Sequence, residues 1–445
     1  MREITVSFWA DAPGARYALG VLFELLDLRM RERETGDHVE VAYGDGCGRI
    51  SIPATPAGSW NNGQPMVSRR RGLPVLHAQG CAPTDDVPGF DLLYATYASL
   101  TAPWELTDPA DEVGCPIARG GFLGRHGLLL EPLVHRYAAL LGDLVGATPR
   151  GEPRLVLTHD VDDNFSHLFA RRVSAELLRR DLAARRLTAV RRAAGLVRRL
   201  RPARRPDPND RFDDWQAWHT GWASRPAYFV ASKGLLSPAS ARQDVPYDVR
   251  HPAVRKTLRT AVAAGAEIGV HFSINARESA QRLRDEREAL EEAAGTSVHS
   301  ARHHWWALSR PPEPTWRAHA EAGIALDCSL GFNDAPGFRR GICVPFRPFD
   351  PDRGQPLRLY VLPTVAMDAA LPLSRPEELR AVFELLERTV REVCGALVLD
   401  WHVHAANTQA FPGAASGLRA FVAAACARGL ELRTPLELLA ERRLA

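Results

Sequence analysis

Residues 154–164 read RLVLTHDVDDN, an apolar strand that runs straight into His159, Asp160, Val161, Asp162 and Asp163. Asp160 and Asp162 lie two apart, so on an extended backbone their side chains point the same way. Two carboxylates that close raise one pKa unless a cation sits between or beside them. The same arrangement recurs downstream. AEIGV (266–270) is followed by His271 and then Asn275, SVHSA (297–301) by Arg302, His303 and His304, GIAL runs into Asp327, and ALVL into Asp400, Trp401, His402 and His404. AYFV (227–230), LRLYVL (357–362) and LELRT (430–434) are further apolar strand-like runs. Helical patterns such as VRKTLRTAVAAG, QRLRDEREALEEAA, EPTWRAHAEAG and PEELRAVFELLERTVREVC separate most of them. Alternating β and α units imply a parallel sheet, and about eight of them suggest a distorted (β/α) barrel, with an open doubly wound sheet as the alternative. No GxGxxG or GxxxxGK[ST] loop follows a strand, which weakens nucleotide-binding versions of that alternative.

Reactive groups of a β/α barrel sit at the C-terminal ends of its strands, and here titratable residues collect at that end of five strands. Such a set suits hydrolysis of an unactivated amide or ester. A divalent metal held by carboxylate and imidazole lowers the pKa of bound water and polarises the acyl oxygen. A carboxylate beside that water takes its proton, and a separate acid protonates the leaving group. One of Asp160 and Asp162 can serve as the base while the other binds metal, and His402 is a natural acid. Bland readings stand beside these. Asp163 suits a loop cap, and Arg302 could simply neutralise the Asp cluster. Strand alternation lets only one of His303 and His304 face the cleft, and His304 shares the parity of Arg302. Trp305, Trp306 and Trp401 are either platforms for a sugar ring or ordinary core. Asp327 either contributes to the substrate site, by holding a histidine, or caps a turn. Asp400 and His404 share the parity of His402 and are candidates for orienting groups.

THDVDDN (158–164) resembles the first motif of polysaccharide deacetylases of the NodB-homology type, carbohydrate esterases whose two aspartates are here one residue apart. PAYFVAS, EIGVHFSIN (267–275), ARHHWW (301–306) and VLDWHVH (398–404) resemble that family's later landmarks, in its order. The segment TWRAHAEAGIALDCSLGFNDAPGFRRGICVPFRPFD (315–350) resembles a subgroup with an extra N-terminal domain. The resemblance covers roughly residues 152–440. It implies a NodB-type distorted barrel and a hydrolase that removes an acyl group, N-acetyl first, from a carbohydrate or glycoconjugate precursor. It implies that Asp160 is the catalytic base, Arg302 the arginine that orients it, and His402 the acid. Asp162 and His271 are the implied metal ligands, with Asn275 or His304 completing the site. Asn275 stands where the family usually has a second histidine, and an amide oxygen binds a divalent metal more weakly than imidazole binds zinc. The expected cofactor is a divalent metal, zinc first, with cobalt or nickel as alternatives. Trp305, Trp401 and Asp327 are the expected substrate contacts. Two rival functions stay open: a catalytically silent relative that binds saccharide or a partner, and a hydrolase of a non-sugar C–N bond such as a cyclic imide.

The whole chain of 445 residues leaves room for two domains, with the cut placed at Thr148-Pro149-Arg150-Gly151. Residues 1–150 are expected to form an α/β accessory domain, with strands at 4–8 and 39–44, helices at 17–30 and 132–147, and a loop-dominated stretch from Ile50 to Pro88. Residues 151–445 form the expected barrel, interrupted by an insertion at about 166–222. Net charge is only +3, so no global field drives the chain onto nucleic acid. Residues 171–205 nonetheless carry 13 arginines, on a stripe that suits either a solvated rim helix or peripheral contact with a membrane face. Nucleic acid is not an expected partner, since stacking aromatics are missing from that run. Seven scattered cysteines without CxxC spacing argue against a disulfide scaffold or zinc-thiolate site. No secretory signal or membrane-length apolar stretch is visible, so a cytoplasmic location is expected.

Overall fold

The computed structural model describes residues 2–9, 12–34, 39–44, 48–56, 60, 64–81, 83–84, 88–165, 168–169, 182, 207–232, 245 and 247–444. The basic run 171–205, apart from Leu182, lies outside the described residues, and with it the expected rim helix and membrane contact.

The chain opens with β1 (Arg2–Phe8), α1 (Pro13–Leu25), β2 (Leu28–Glu32), β3 (Val39–Tyr43) and β4 (Gly48–Ile52). These strands make a parallel sheet in the order β2-β1-β3-β4. The helix expected over 17–30 ends early, because Asp27 adopts φ +55° and the next residues pair with β1 in register from Arg2–Leu28 to Val6–Glu32. The stretch expected to be loop from 50 to 88 holds the end of β4 and a hairpin, β5 (Met66–Arg70) and β6 (Leu73–His77). Arg71 (φ +48°) and Gly72 (φ +85°) make its two-residue turn, the left-handed pair that suits the twist of a hairpin. Two helices, α2 (Leu92–Thr101) and α3 (Leu133–Val145), complete this region.

The second sheet holds β7 (Arg154–Val161), β8 (Ala227–Val230), β9 (Glu267–Phe272), β10 (Ser300–His303) and β11 (Leu326–Asp327). After a two-stranded ribbon, β12 (Phe349–Asp350) and β13 (Gln355–Pro356), it continues with β14 (Tyr360–Val361), β15 (Ala366–Met367), β16 (Ala396–Asp400) and β17 (Glu431–Arg433). All nine of its strands run parallel, in the order β14-β11-β10-β9-β8-β7-β16-β15, with β17 on the start of β7. The two outer members, β14 and β15, are halves of one segment. Leu362 N donates to Asp327 O at one edge and Val365 N to Val398 O at the other. Residues 360–367 therefore bridge the sheet's two edges and draw it into a distorted barrel, which excludes the open doubly wound sheet. Each of the eight strand-like runs in the sequence became a strand, while β15 went unseen because two residues carry no periodicity. Among the described residues no helix is long and apolar enough to cross a membrane.

One continuous apolar core reaches from Ile4 and Leu22 beneath the first sheet to Trp316 and Trp401 in the barrel. The link between them is also ionic. Glu105, buried, accepts from Arg339 Nε at 2.7 Å and Nη2 at 2.9 Å, and from Arg340 Nη2 at 3.3 Å. Burial alone would raise the Glu105 carboxyl, but the two guanidiniums hold it down at about 2. Its ionised form therefore stabilises the fold fully above the ordinary value of 4.5, and that contribution is lost as pH falls from 4.5 to about 2. Replacing Glu105 with Ala takes the carboxylate from buried Arg339 and leaves Arg340 with Glu313 at 3.8 Å, and should cost about 3–5 kcal/mol by urea denaturation at pH 7. A loss below about 1 kcal/mol would contradict this role, because that is what an exposed pair gives.

Candidate active site

The C-terminal ends of β7, β9, β10 and β16 converge on one group of side chains. Arg302 leaves β10 inward and is completely buried, stacked over the Phe229 ring at 4.4 Å. Its Nη1 donates to Asp160 Oδ1 at 2.7 Å and to Asp400 Oδ1 at 2.6 Å, while Nε donates to Cys328 O at 3.1 Å and Nη2 to Thr364 Oγ1 at 3.3 Å. Burial works against the Arg302 charge, but the two carboxylates more than offset it. One cation does not balance two buried anions. Burial, reinforced by the Asp160 charge and resisted by Arg302, pushes the Asp400 carboxyl up to about 8, so Asp400 carries a proton at neutral pH.

Asp160 turns its other oxygen toward His271, with Oδ2 3.6 Å from Nε2. Asp162 stands just past the end of β7 and meets three imidazoles. Its Oδ1 is 3.3 Å from His271 Nε2, and its Oδ2 is 3.4 Å from His304 Nε2 and 3.3 Å from His402 Nε2. Burial alone would raise Asp162, but the His304 charge, with the His271 and His402 rings beside it, holds it well below the usual carboxylate range. His271 donates Nδ1–H to the Arg302 carbonyl at 3.2 Å, which fixes the ring and, in the neutral form, leaves a lone pair on Nε2 facing Asp162. Neither His271 Nε2 nor Asp162 Oδ1 has a hydrogen-bond partner, though both are buried. A lone pair opposite a carboxylate oxygen is repulsive unless something positive lies between them. Asp162, His271 and His304 form one group with metal-ligand spacing, and Asp160, Asp400 and His402 form a second. The first donor set fits a divalent cation: a carboxylate and two imidazoles, one with its far nitrogen on a backbone carbonyl as metal-bound histidines usually have.

His402 follows β16. Its Nδ1 donates to Asp368 Oδ1 at 2.8 Å, and its backbone N–H donates to Asp368 Oδ2 at 2.9 Å. Burial would strip the His402 proton, but the Asp368 charge and the hydrogen bonds to Asp162 and Asp368 hold the imidazole well above its ordinary value. Sequence reasoning missed Asp368. It sits one residue beyond the two-residue β15, where VAMDAA offers no alternation and no spacing to a known partner. A buried pair also went unseen. His159 donates Nδ1–H to Trp401 O at 2.8 Å, and its Nε2 lies 2.9 Å from His219 Nε2, tying the exit of β7 to that of β16.

The remaining expected residues divide between the rim and the interior. His304 faces Asp162, whereas His303 turns away and stacks on His319 at 4.9 Å. Trp305 stands at the rim, 47% exposed, with its ring 6.0 Å from that of His304. Trp305 and Trp306 both adopt φ above +50°, and the buried Trp306 indole fills the place where a Cβ on Gly331 would be. Asn275 is exposed on the turn Ile274–Ala276, where its backbone carbonyl accepts from Arg282. Two expected substrate contacts require correction. Trp401 is fully buried, its ring 6.3 Å from Phe383, and is a core side chain. Asp327 is fully buried too, accepting from Ser329 Oγ at 2.7 Å and Trp316 Nε1 at 3.3 Å beside His319 at 3.0 Å, so it is walled off from any ligand.

No family model matches the chain, and no curated protein does. Among solved structures, the chain is similar to a Mycobacterium smegmatis protein described as a polysaccharide deacetylase, with 19% identity over 66% of this chain and 91% of that one, at a TM-score of 0.40. It is similar to a CE4 family pseudoenzyme from Bacillus anthracis, with 9% identity over 65% of this chain and 66% of that one, at a TM-score of 0.32. It is also similar to the chitin deacetylase of the fungal pathogen Colletotrichum lindemuthianum, with 14% identity over 64% of this chain and 91% of that one, at a TM-score of 0.30. At these values the chemistry has to be argued from the side chains themselves.

The Asp368 charge is what keeps His402 protonated. In metal-free protein, Asp368→Asn should therefore lower the His402 titration midpoint followed by imidazole NMR. The pair's own stabilisation is complete below the ordinary histidine value of 6.5 and is lost as pH rises through the raised midpoint. An unchanged midpoint in the variant would show that Asp368 does not govern this proton.

Proposed function

We propose that the chain is a metal-dependent hydrolase that removes an acyl group, N-acetyl first, from a carbohydrate or glycoconjugate. The observation that carries this reading is a carboxylate and a protonated imidazole that meet different atoms of one half-buried donor set, with side-chain atoms within 4.8 Å of each other. Asp160, fixed by Arg302, lies on the His271 side, and protonated His402 lies on the far oxygen of Asp162. Asp162, His271 and His304 would hold the metal, zinc first and cobalt or nickel as alternatives. When bound, it would supply a water of lowered pKa and an electrophile for the acyl oxygen. Asp160 Oδ2 takes a proton from the attacking water, its other oxygen kept on Arg302 so that the carboxylate stays aimed. His402 gives its Nε2 proton to the amine nitrogen as the C–N bond breaks, and Asp368 holds the resulting imidazole in place. Asp400, protonated, leaves the Arg302 charge available to Asp160. Trp305 gives a sugar ring a face to stack on at the rim. The carbohydrate assignment rests on the motifs at 158–164, 267–275, 301–306 and 398–404, and the hydrolytic chemistry rests on the side chains. In this reading residues 1–150 are an accessory unit and residues 151–445 the catalytic one.

Asp160→Asn should retain the metal and release acetate from N-acetylated sugars at least about two orders of magnitude more slowly, the scale of losing a general base. Near-normal turnover in that variant would remove Asp160 from its role. Asn275→Ala, on an exposed turn, should stay within about twofold of the parent, a change worth only a few tenths of a kcal/mol. A panel of small cyclic imides hydrolysed in preference to N-acetylated sugars would keep the machinery and replace the substrate.

A further inference from the structure

The crevice at the end of the first sheet shares no residue with the site described above. It is a cavity of about 350 Å³, within the range of small-molecule sites, walled by Trp9, Tyr43, Ala54, Trp60, Tyr97 and Phe349. Its position follows from topology. The chain leaves β1 through α1 to β2 and returns on the other side of β1 as β3, so the strand order reverses between β1 and β3. Connections diverge at such a point and leave a crevice outside the carboxyl ends of the strands, where open parallel sheets bind their ligands. Trp9 directly follows β1, Tyr43 is the last residue of β3, Ala54 lies two residues past β4, and Pro13 and Gly14 open α1.

The lining defines the ligand's chemistry. Among the described residues no Asp, Glu, Lys or Arg lines the cavity. Several of its polar atoms are already engaged: Tyr43 Oη donates to Asp91 Oδ2 at 2.7 Å, Thr55 N to the same oxygen at 2.6 Å, and Trp60 Nε1 to Thr55 O at 3.2 Å. Pro13 opens the helix without an N–H, so the anion-binding end that a dinucleotide fold would use is blunted. Glycines keep the indoles in place. A Cβ on Gly14 would lie 2.9 Å from the Trp60 ring, and one on Gly44, at φ +85°, would lie 2.9 Å from Trp9 Cβ. Trp9 stands 60% exposed as the outer wall, an apolar surface that a ligand would cover.

We propose that this crevice is a binding site for an uncharged small molecule that inserts an apolar ring among Trp9, Tyr43, Trp60, Tyr97 and Phe349. Calorimetric titration with p-cresol tests it, with phenyl phosphate as the anionic counterpart of the same ring. One molecule of p-cresol should bind per chain, and phenyl phosphate at least about tenfold more weakly, since among the described lining residues no cation meets its charge. Ala54→Trp, at an exposed wall position, fills the cavity and should weaken p-cresol binding at least about tenfold, with Trp9→Ala giving a several-fold loss as a second variant that removes only an exposed ring. No heat of binding at millimolar p-cresol, equal affinity for phenyl phosphate, or unchanged binding in both variants would overturn the proposal. So would a dimer in sedimentation that Trp9→Ala dissolves, because the crevice would then be covered by a second copy of the chain.

Discussion

Arg302 is the point on which the barrel mouth depends. A guanidinium without solvent access is tolerable only if its donors are used, and here Nε and both terminal nitrogens all find acceptors. Its two carboxylates come from β7 and β16, and its carbonyl acceptor from the residue after β11, so one side chain fixes three strand ends. The carbonyl of the same residue orients His271. Removing Arg302 would leave Asp160 and Asp400 facing each other in a buried space with no cation between them.

The unequal fates of the two aspartates follow from that single charge. Asp400 is fully enclosed and holds a proton, whereas Asp160 keeps one oxygen on Arg302 and presents the other to the cleft. A similar division appears around Asp162. Its Oδ1 faces a histidine whose proton is committed elsewhere, and its Oδ2 faces one whose proton is held by Asp368. The hydrogen-bond network around the carboxylates thus separates a ligand histidine from an acid histidine within one cluster.

The parts legible in the sequence were those with length or local rule. In the barrel, the eight apolar runs that became strands, five of them with titratable exits, could be found because apolar runs and chain order carry that signal, and parity alone favoured His304 over His303. Asp368 and His319 could not be found: one follows a strand too short to show periodicity, and the other sits on a helix, where a lone histidine among apolar neighbours has no distinguishing mark. Trp401 and Asp327 misled because they adjoin chemistry in sequence while pointing into the core. The first 150 residues were least legible. A left-handed Asp27 ended a helix that the apolar pattern would have continued, and β5 and β6 were hidden in a stretch whose glycines and prolines suggested only loop.

In the proposed hydrolase, the buried, unpartnered atoms of Asp162 and His271 belong to a metal site completed by His304. Crystals equilibrated with cobalt and measured at the cobalt edge locate the ion directly. One anomalous peak is expected within about 2.0–2.3 Å of Asp162 Oδ1, His271 Nε2 and His304 Nε2. A peak among Asp160, Asp400 and His402, or beside Asn275, would contradict it.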